Sequence, residues 1–227
     1  MRKIQILILV MVLGIFIGCS KEDSQEDVYG GFGLVLEDQS KPLGYIINMD
    51  DDDYIIPLSP SRLIDSWDDS SRVLVYFKLE EQIDDINGND TYEVHMLDWE
   101  NILMKNIFEI TPETEDSIGN DPVIIKNMWV TDNFLNFELS FWGNNKTHMV
   151  NLVKQPGDIT SEDLPVELEI RHNKFDDEEL FRYSAYVSFD MSPLKLAGTD
   201  SVTFKVSGKN YDSVTYTHDG VYKYNTD

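Results

Sequence analysis

The chain carries 42 acidic and 18 basic side chains among 227 residues, for a net charge of −24, with one cysteine and 41% apolar residues. That apolar fraction is enough for a packed core, which excludes wholesale disorder, and the length allows one large or two small domains. The negative charge repels a phosphate backbone and so excludes nucleic acid as a partner, while a lone cysteine excludes an intrachain disulfide and a cysteine-cluster metal site.

Met1-Arg2-Lys3 leads into an apolar run from Ile4 to Ile17 that stops at Gly18-Cys19, with no charge between Lys3 and Lys21. At about 14 residues the run is short of the roughly 20 that a spanning helix needs, and it ends on a small residue, as a signal peptide does. Phe16-Ile17-Gly18-Cys19 resembles a lipobox, which predicts cleavage between Gly18 and Cys19 and acylation of Cys19 on its sulfur and amine. Residues 1–18 are therefore expected to be a lipoprotein signal peptide and 19–27 a flexible acidic tether. Ser20-Lys21-Glu22-Asp23 resembles the Lys-acid-acid tag that sends lipoproteins of the Bacteroidota to the outer face of the outer membrane, so a lipid-anchored, surface-exposed protein is expected. Loss of residues 1–18 removes Arg2 and Lys3 and leaves 16 basic against 42 acidic residues, a net charge of −26.

From Val28 onward the apolar period is two, the signature of strands with one buried and one wet face. A strand is expected at Gly31–Leu36 and a hairpin over Tyr45–Ile56. Val73, Val75, Phe77 and Leu79 then alternate with Leu74, Tyr76, Lys78 and Glu80, and further strands are expected near 91–97 and 102–110. Five strands of this size suit a partly open OB-like barrel over 28–113. Two prolines, a glycine and four acidic residues in Thr111–Pro122 break the pattern, and a linker is placed at 114–122. Beyond it, Leu135, Phe137, Leu139 and Phe141 alternate with Phe134, Asn136, Glu138 and Ser140. Val166, Leu168 and Ile170, and Tyr183, Ala185, Val187 and Phe189, form two more such sets, which suits an antiparallel β-sandwich over 123–227. Turns are expected at Asn87-Gly88, Gly143-Asn144, Pro156-Gly157, Gly208-Lys209-Asn210 and Asp219-Gly220, and short helices fit only within Asp98–Phe108 and Asp176–Arg182.

Several segments together resemble one family. They are Gly44-Tyr45-Ile46-Ile47, Arg72-Val73-Leu74-Val75-Tyr76-Phe77, Trp129, Asn133-Phe134-Leu135-Asn136-Phe137, His148–Val153, Val166–Asn173 and Val187–Ser192 followed by Pro193-Leu194. In this order, behind a lipoprotein signal, they look like the NigD-like lipoproteins. The resemblance implies an N-terminal OB-like domain, a C-terminal β-sandwich and no catalytic residues to transfer; the family's name comes from a bacteriocin operon and its biochemical role is unassigned.

Asp50–Asp53 gathers four carboxylates at the centre of the first hairpin, but calcium loops space their ligands at alternate positions, so a solvated acidic tip is the favoured account. Asp85, Asn87 and Asn89 alternate better, yet Gly88 stands two places early for a calcium loop and no Glu follows at its twelfth position. His95, His148, His172 and His218 show no close pair, and each is expected to be a single hydrogen-bonded strand residue rather than a zinc ligand. No nucleophile elbow or phosphate loop occurs, so no catalytic residue, metal or cofactor is expected. Four Trp and eleven Tyr offer stacking platforms for sugars, with Trp142 and Trp67 as candidate ligand-binding residues against the plainer account that large aromatics fill cores. Asp116-Ser117-Ile118, Asp200-Ser201-Val202 and Asp212-Ser213-Val214 resemble O-glycosylation acceptor triplets and are equally ordinary turn chemistry. The expected role is non-enzymatic binding or scaffolding at the cell envelope, with envelope proteins or glycans as partners besides the membrane; the alternatives are a surface polysaccharide-binding accessory protein and a carboxylate-dependent glycan hydrolase.

Overall fold

The computed structural model describes residues 27–60, 67–86 and 88–224, so the signal segment, Gly18, Cys19 and all of the tether but Asp27 lie outside the described residues. The chain forms a five-stranded OB-like barrel followed by a β-sandwich. The barrel consists of β1 (Tyr29–Glu37), β2 (Tyr45–Met49), β3 (Tyr54–Ser59), β4 (Arg72–Ile86) and β5 (Asn89–Asn101). It closes in the order β1-β2-β3-β5-β4, with β3 parallel to β5. Closure falls to β1, whose first half pairs with β4 and whose second half pairs with β2. The expected alternation builds its interior: Val35, Ile47, Val73, Val75 and Val94 are fully buried and pack with Ile55, Phe77 and Met96. Between β4 and β5, Gly88 has φ 86°, the left-handed backbone that hairpin turns favour, while Asn87 of the expected turn lies outside the described residues.

The sandwich starts earlier than the composition implies. β6 (Leu103–Asn106) pairs with β12 (Phe181–Asp190), and β7 (Phe108–Glu109) pairs with β10 (Met149–Lys154), so the stretch 102–110 belongs to the sandwich and not to the barrel. The remaining strands are β8 (Ile124–Thr131), β9 (Phe134–Gly143), β11 (Val166–Asn173), β13 (Ser201–Lys209) and β14 (Thr215–Lys223). One sheet runs β14-β13-β11-β10-β7 and the other β6-β12-β9-β8. The sheets are mixed rather than wholly antiparallel, because β7, β13 and β6 each join a neighbour in parallel. Their facing sides enclose Leu135, Phe137, Leu139, Leu152, Phe189, Val206 and Tyr222, all fully buried.

Three local expectations change for stated reasons. The segment placed as a linker at 114–122 holds the one α-helix of the described residues, α1 (Glu115–Ile118), and Ile118 is buried with Ile110 and Val153, which makes the segment part of the sandwich. Asp98–Phe108 is strand throughout most of its length, and 176–182 contains no helix. Asp219-Gly220 is no turn: Gly220 lies within β14 opposite Phe204, whose ring covers it so closely that an added Cβ would sit 2.3 Å from Phe204 Cζ. The glycine is needed for a ring to lie across the backbone, a use that turn statistics do not separate from a reverse turn.

Candidate functional site

The barrel sits against the outer face of the β8-β9-β12 part of the sandwich, and a cleft of about 620 Å³ opens where they meet. Its walls come from β1 (Tyr29, Phe32), the β2–β3 hairpin (Asp51, Asp53), β4 and β5 (Phe77, Tyr92) on one side, and from Trp129, Glu138 and Tyr186 on the other. Phe32 is the hinge of this aromatic wall, with ring centroids 5.1 Å from Trp129 and 5.0 Å from Tyr186. Large aromatics at such distances contribute both apolar burial and oriented quadrupoles.

Behind the wall a polar clamp joins the two modules. Arg72 at the start of β4 is 2% exposed and donates through Nη1 and Nη2 to the two oxygens of Asp50, at 2.5 and 2.6 Å. Its Nη2 also donates to Asn136 Oδ1 of β9 at 3.2 Å, and the Ser188 hydroxyl of β12 donates to the same oxygen at 2.6 Å. Asp50 Oδ2 accepts from the Trp129 indole at 3.2 Å and from the Thr131 hydroxyl at 3.1 Å. The guanidinium lies 5.8 Å from the ring centroids of both Phe32 and Phe134. The bidentate ion pair lies within the barrel and is directional, so it fixes the two groups that Asn136, Trp129 and Thr131 of the sandwich then meet.

The clamp corrects two expectations. Asp50 is not part of a solvated tip: only Asp51 and Asp52 of the four aspartates are exposed, and Asp50 points back to Arg72. Asn136, expected on a wet face, is 2% exposed because the barrel covers it. Alternation separates two faces of a strand and is silent on what lies over either.

Of the predicted stacking residues, Trp67 is 5% exposed and fills the barrel between Tyr45 and Trp99, with centroids 5.8 and 6.0 Å away, so it has no face to offer a ligand. Trp142 is 36% exposed at the end of β9, opposite Arg182, with its backbone N–H donated to the Tyr211 hydroxyl at 2.7 Å. It shares the outer face of β9 with Glu138 but stands four residues further on, about 13 Å at ~3.3 Å per residue, and is therefore outside the cleft. Cys19 and Gly18 lie outside the described residues. The residues that do line the cleft, Phe32, Trp129 and Tyr186, had one legible signal: Gly30-Gly31-Phe32-Gly33 strings glycines through a strand, a mark of close approach by another part of the chain. An added Cβ on Gly30 would lie 2.7 Å from the Tyr76 ring, and one on Gly33 would lie 2.5 Å from Ile47 Cγ2.

Residues 106–219, half of the chain, match the model of the NigD-like C-terminal beta sandwich domain. The chain belongs to the NigD-like family. Among solved structures, a candidate toxin-related protein from Parabacteroides distasonis shares 24% identity with this NigD-like chain at a TM-score of 0.71, over 87% of this chain and 94% of that one. A NigD-like immunity protein from Bacteroides caccae aligns at 17% identity and a TM-score of 0.62, over 87% and 98% of the two chains. A candidate lipoprotein from Bacteroides fragilis aligns at 16% identity and a TM-score of 0.61, over 88% and 99%. These likenesses show a shared fold over nearly the whole described chain. No curated protein matches it.

Within the NigD-like sandwich a second polar cluster pairs two histidines that stand 24 residues apart. His148 Nδ1 and His172 Nε2 are 2.9 Å apart, His172 Nδ1 donates to the Pro122 carbonyl at 2.9 Å, and His148 Nε2 lies 3.1 Å from Asp177 Oδ2. Phe141 packs over both imidazoles. The expectation of singly placed histidines thus fails for this pair, which the β10–β11 ladder brings together through Val150↔His172 and its neighbours. Among the described residues no group of three or more His, Cys, Asp or Glu side chains is arranged to hold a metal ion.

Burial pushes the His172 imidazole below its ordinary pKa, helped by His148 and Lys174 and opposed by the Pro122 carbonyl and Asp121. The unfolded state then takes up a proton that the folded state refuses, so stability rises with pH and is lost as pH falls below the unfolded value near 6.5. Burial raises the Asp177 carboxyl, but hydrogen bonds from the Asn144 N–H, the His148 ring and the Asn145 and Lys146 N–H groups outweigh it and hold the group well below the carboxylate range. Its contribution is present above about pH 4 and is lost below that. The urea midpoint is therefore expected to fall between pH 7.5 and pH 5, and His172→Gln should flatten that fall. An unchanged pH dependence in His172→Gln would remove His172 as its source.

Proposed function

We propose that this NigD-like protein is a non-enzymatic binding protein of the cell envelope, anchored in the outer membrane through acylated Cys19 and exposed at the cell surface, with the cleft between barrel and sandwich as its ligand site. The observation that carries this reading is the cleft itself, a concave aromatic site of about 620 Å³ at a module junction, where ligand sites tend to lie. Of the four carboxylates that line it, Asp50 is bound to Arg72 and Glu138 to Lys126. The Bacteroides caccae relative is named an immunity protein, and immunity by sequestration needs a binding surface rather than a reaction centre.

The anchor is tested by Cys19→Ser, which should move the protein from the membrane fraction to the soluble fraction; retention in the membrane would overturn the lipoprotein assignment. The ligand site is tested by a fragment library screened by NMR against the mature chain. Hits should shift the Trp129 indole signal and leave that of the core residue Trp67 in place, and a library with no hits at Trp129 would overturn the cleft as the site.

A further inference from the structure

The geometry points to a cationic occupant: the cleft takes arginine or lysine side chains of a basic polypeptide segment. The inference rests on the cleft being the binding site and adds the chemistry of what enters it. Phe32, Trp129, Tyr186 and Tyr92 present aromatic surface to the cleft, and a cation on an apolar stem gains from aromatic faces and from burial of the stem together. The mouth carries Asp51 and Asp53, and among the described residues no basic group lies within ion-pair distance of either. The nearby cations are already engaged, Arg72 by Asp50 and Lys126 by Glu138. Burial pushes the Asp53 carboxyl up, and Asp51, Asp90 and Asp52 add to the rise, as expected of carboxylates crowded together without a counterion. Bare metal ions do not suit walls made of hydrocarbon rings, and an acidic polymer would meet the same repulsion that the carboxylates feel from one another. Arg and Lys side chains supply both missing elements, a positive head for Asp51 and Asp53 and an apolar stem for the rings.

The test uses the full mature chain with acetyl-tetraarginine amide, its neutral isostere acetyl-tetracitrulline amide, and cellotetraose, each titrated while the Trp129 indole N–H is followed by NMR. The arginine peptide should shift that signal saturably and bind roughly tenfold or more tightly than the citrulline peptide. Asp51→Asn with Asp53→Asn should weaken it by a similar factor. Asp158→Asn with Asp212→Asn makes the same change in net charge at exposed positions on the sandwich and should weaken it by no more than about twofold, since distant exposed charges are screened. Equal binding of the citrulline peptide, or equal losses from the two double variants, overturns the cationic occupant. If cellotetraose or the citrulline peptide shifts Trp129 while the arginine peptide does not, the cleft stands as a site and its cationic ligand is wrong. If no probe shifts Trp129, the cationic occupant fails, and the fragment screen then decides the cleft separately.

Discussion

Asp50→Ala is expected to destabilise the protein by about 3–5 kcal/mol, because it strands the Arg72 guanidinium, 2% exposed, without its carboxylate. The loss reaches beyond one ion pair, since Asp50 also accepts from Trp129 and Thr131 of the sandwich. Coulomb attraction is not the whole account. A buried pair repays its desolvation only when its geometry is good, and removing both charges often costs little. The double variant Asp50→Ala with Arg72→Met should therefore recover most of the stability lost by the single variant. Urea unfolding of the two variants and the wild type decides the matter: a loss below about 1 kcal/mol in the single variant would show the clamp to be dispensable, as exposed pairs usually are. In the double variant the Trp129 indole should also lose its acceptor, so its NMR signal should move even where stability returns.

Phe137→Ala is expected to cost about 3–5 kcal/mol, the range for deleting a large buried ring that leaves a cavity. Phe137 is fully buried in the sandwich core and meets Phe189 edge to face at 5.8 Å, with an interplanar angle of 79°. β9 and β12 are held in register by a ten-residue ladder in which Phe137 faces Val187 and Phe189 faces Leu135, so neither strand can shift to fill the hole without moving every other inward side chain. Phe137→Leu should cost markedly less because most of the volume remains. Equal losses in the two variants, measured by denaturant unfolding, would mean that ring geometry rather than volume governs the site.

The periodic residues carried most of the architecture. Val73, Val75 and Phe77 in β4, and Leu135, Phe137 and Leu139 in β9, point inward as a period of two requires, and the chain is the barrel followed by a sandwich that the pattern and the family resemblance imply. The left-handed backbone of Gly88 between β4 and β5 was legible because such geometry is local. The module boundary was not, because 102–110 is apolar enough to extend either module, and only its pairing with β12 and β10 assigns it to the sandwich. Nor was the use of Trp67 and Trp142 legible. Trp67 lies in the connection between β3 and β4 and Trp142 at the end of β9, and whether such a ring is covered depends on chain far away in sequence.

The sequence by itself determined the strand content, the inward faces and the excess of negative charge, because each is a property of single residues or of neighbours two apart. Tertiary structure alone decided which charges are spent and which are free. Asp50 and Asp51 are adjacent and chemically identical, yet one is locked on Arg72, 22 residues away, and touches Thr131, 81 residues away, while the other stands exposed at the mouth of the cleft. The physical reason is that a carboxylate's role is set by the donors and rings around it, and here those come from a distant strand of the same barrel and from the sandwich, brought within about 3 Å by the fold.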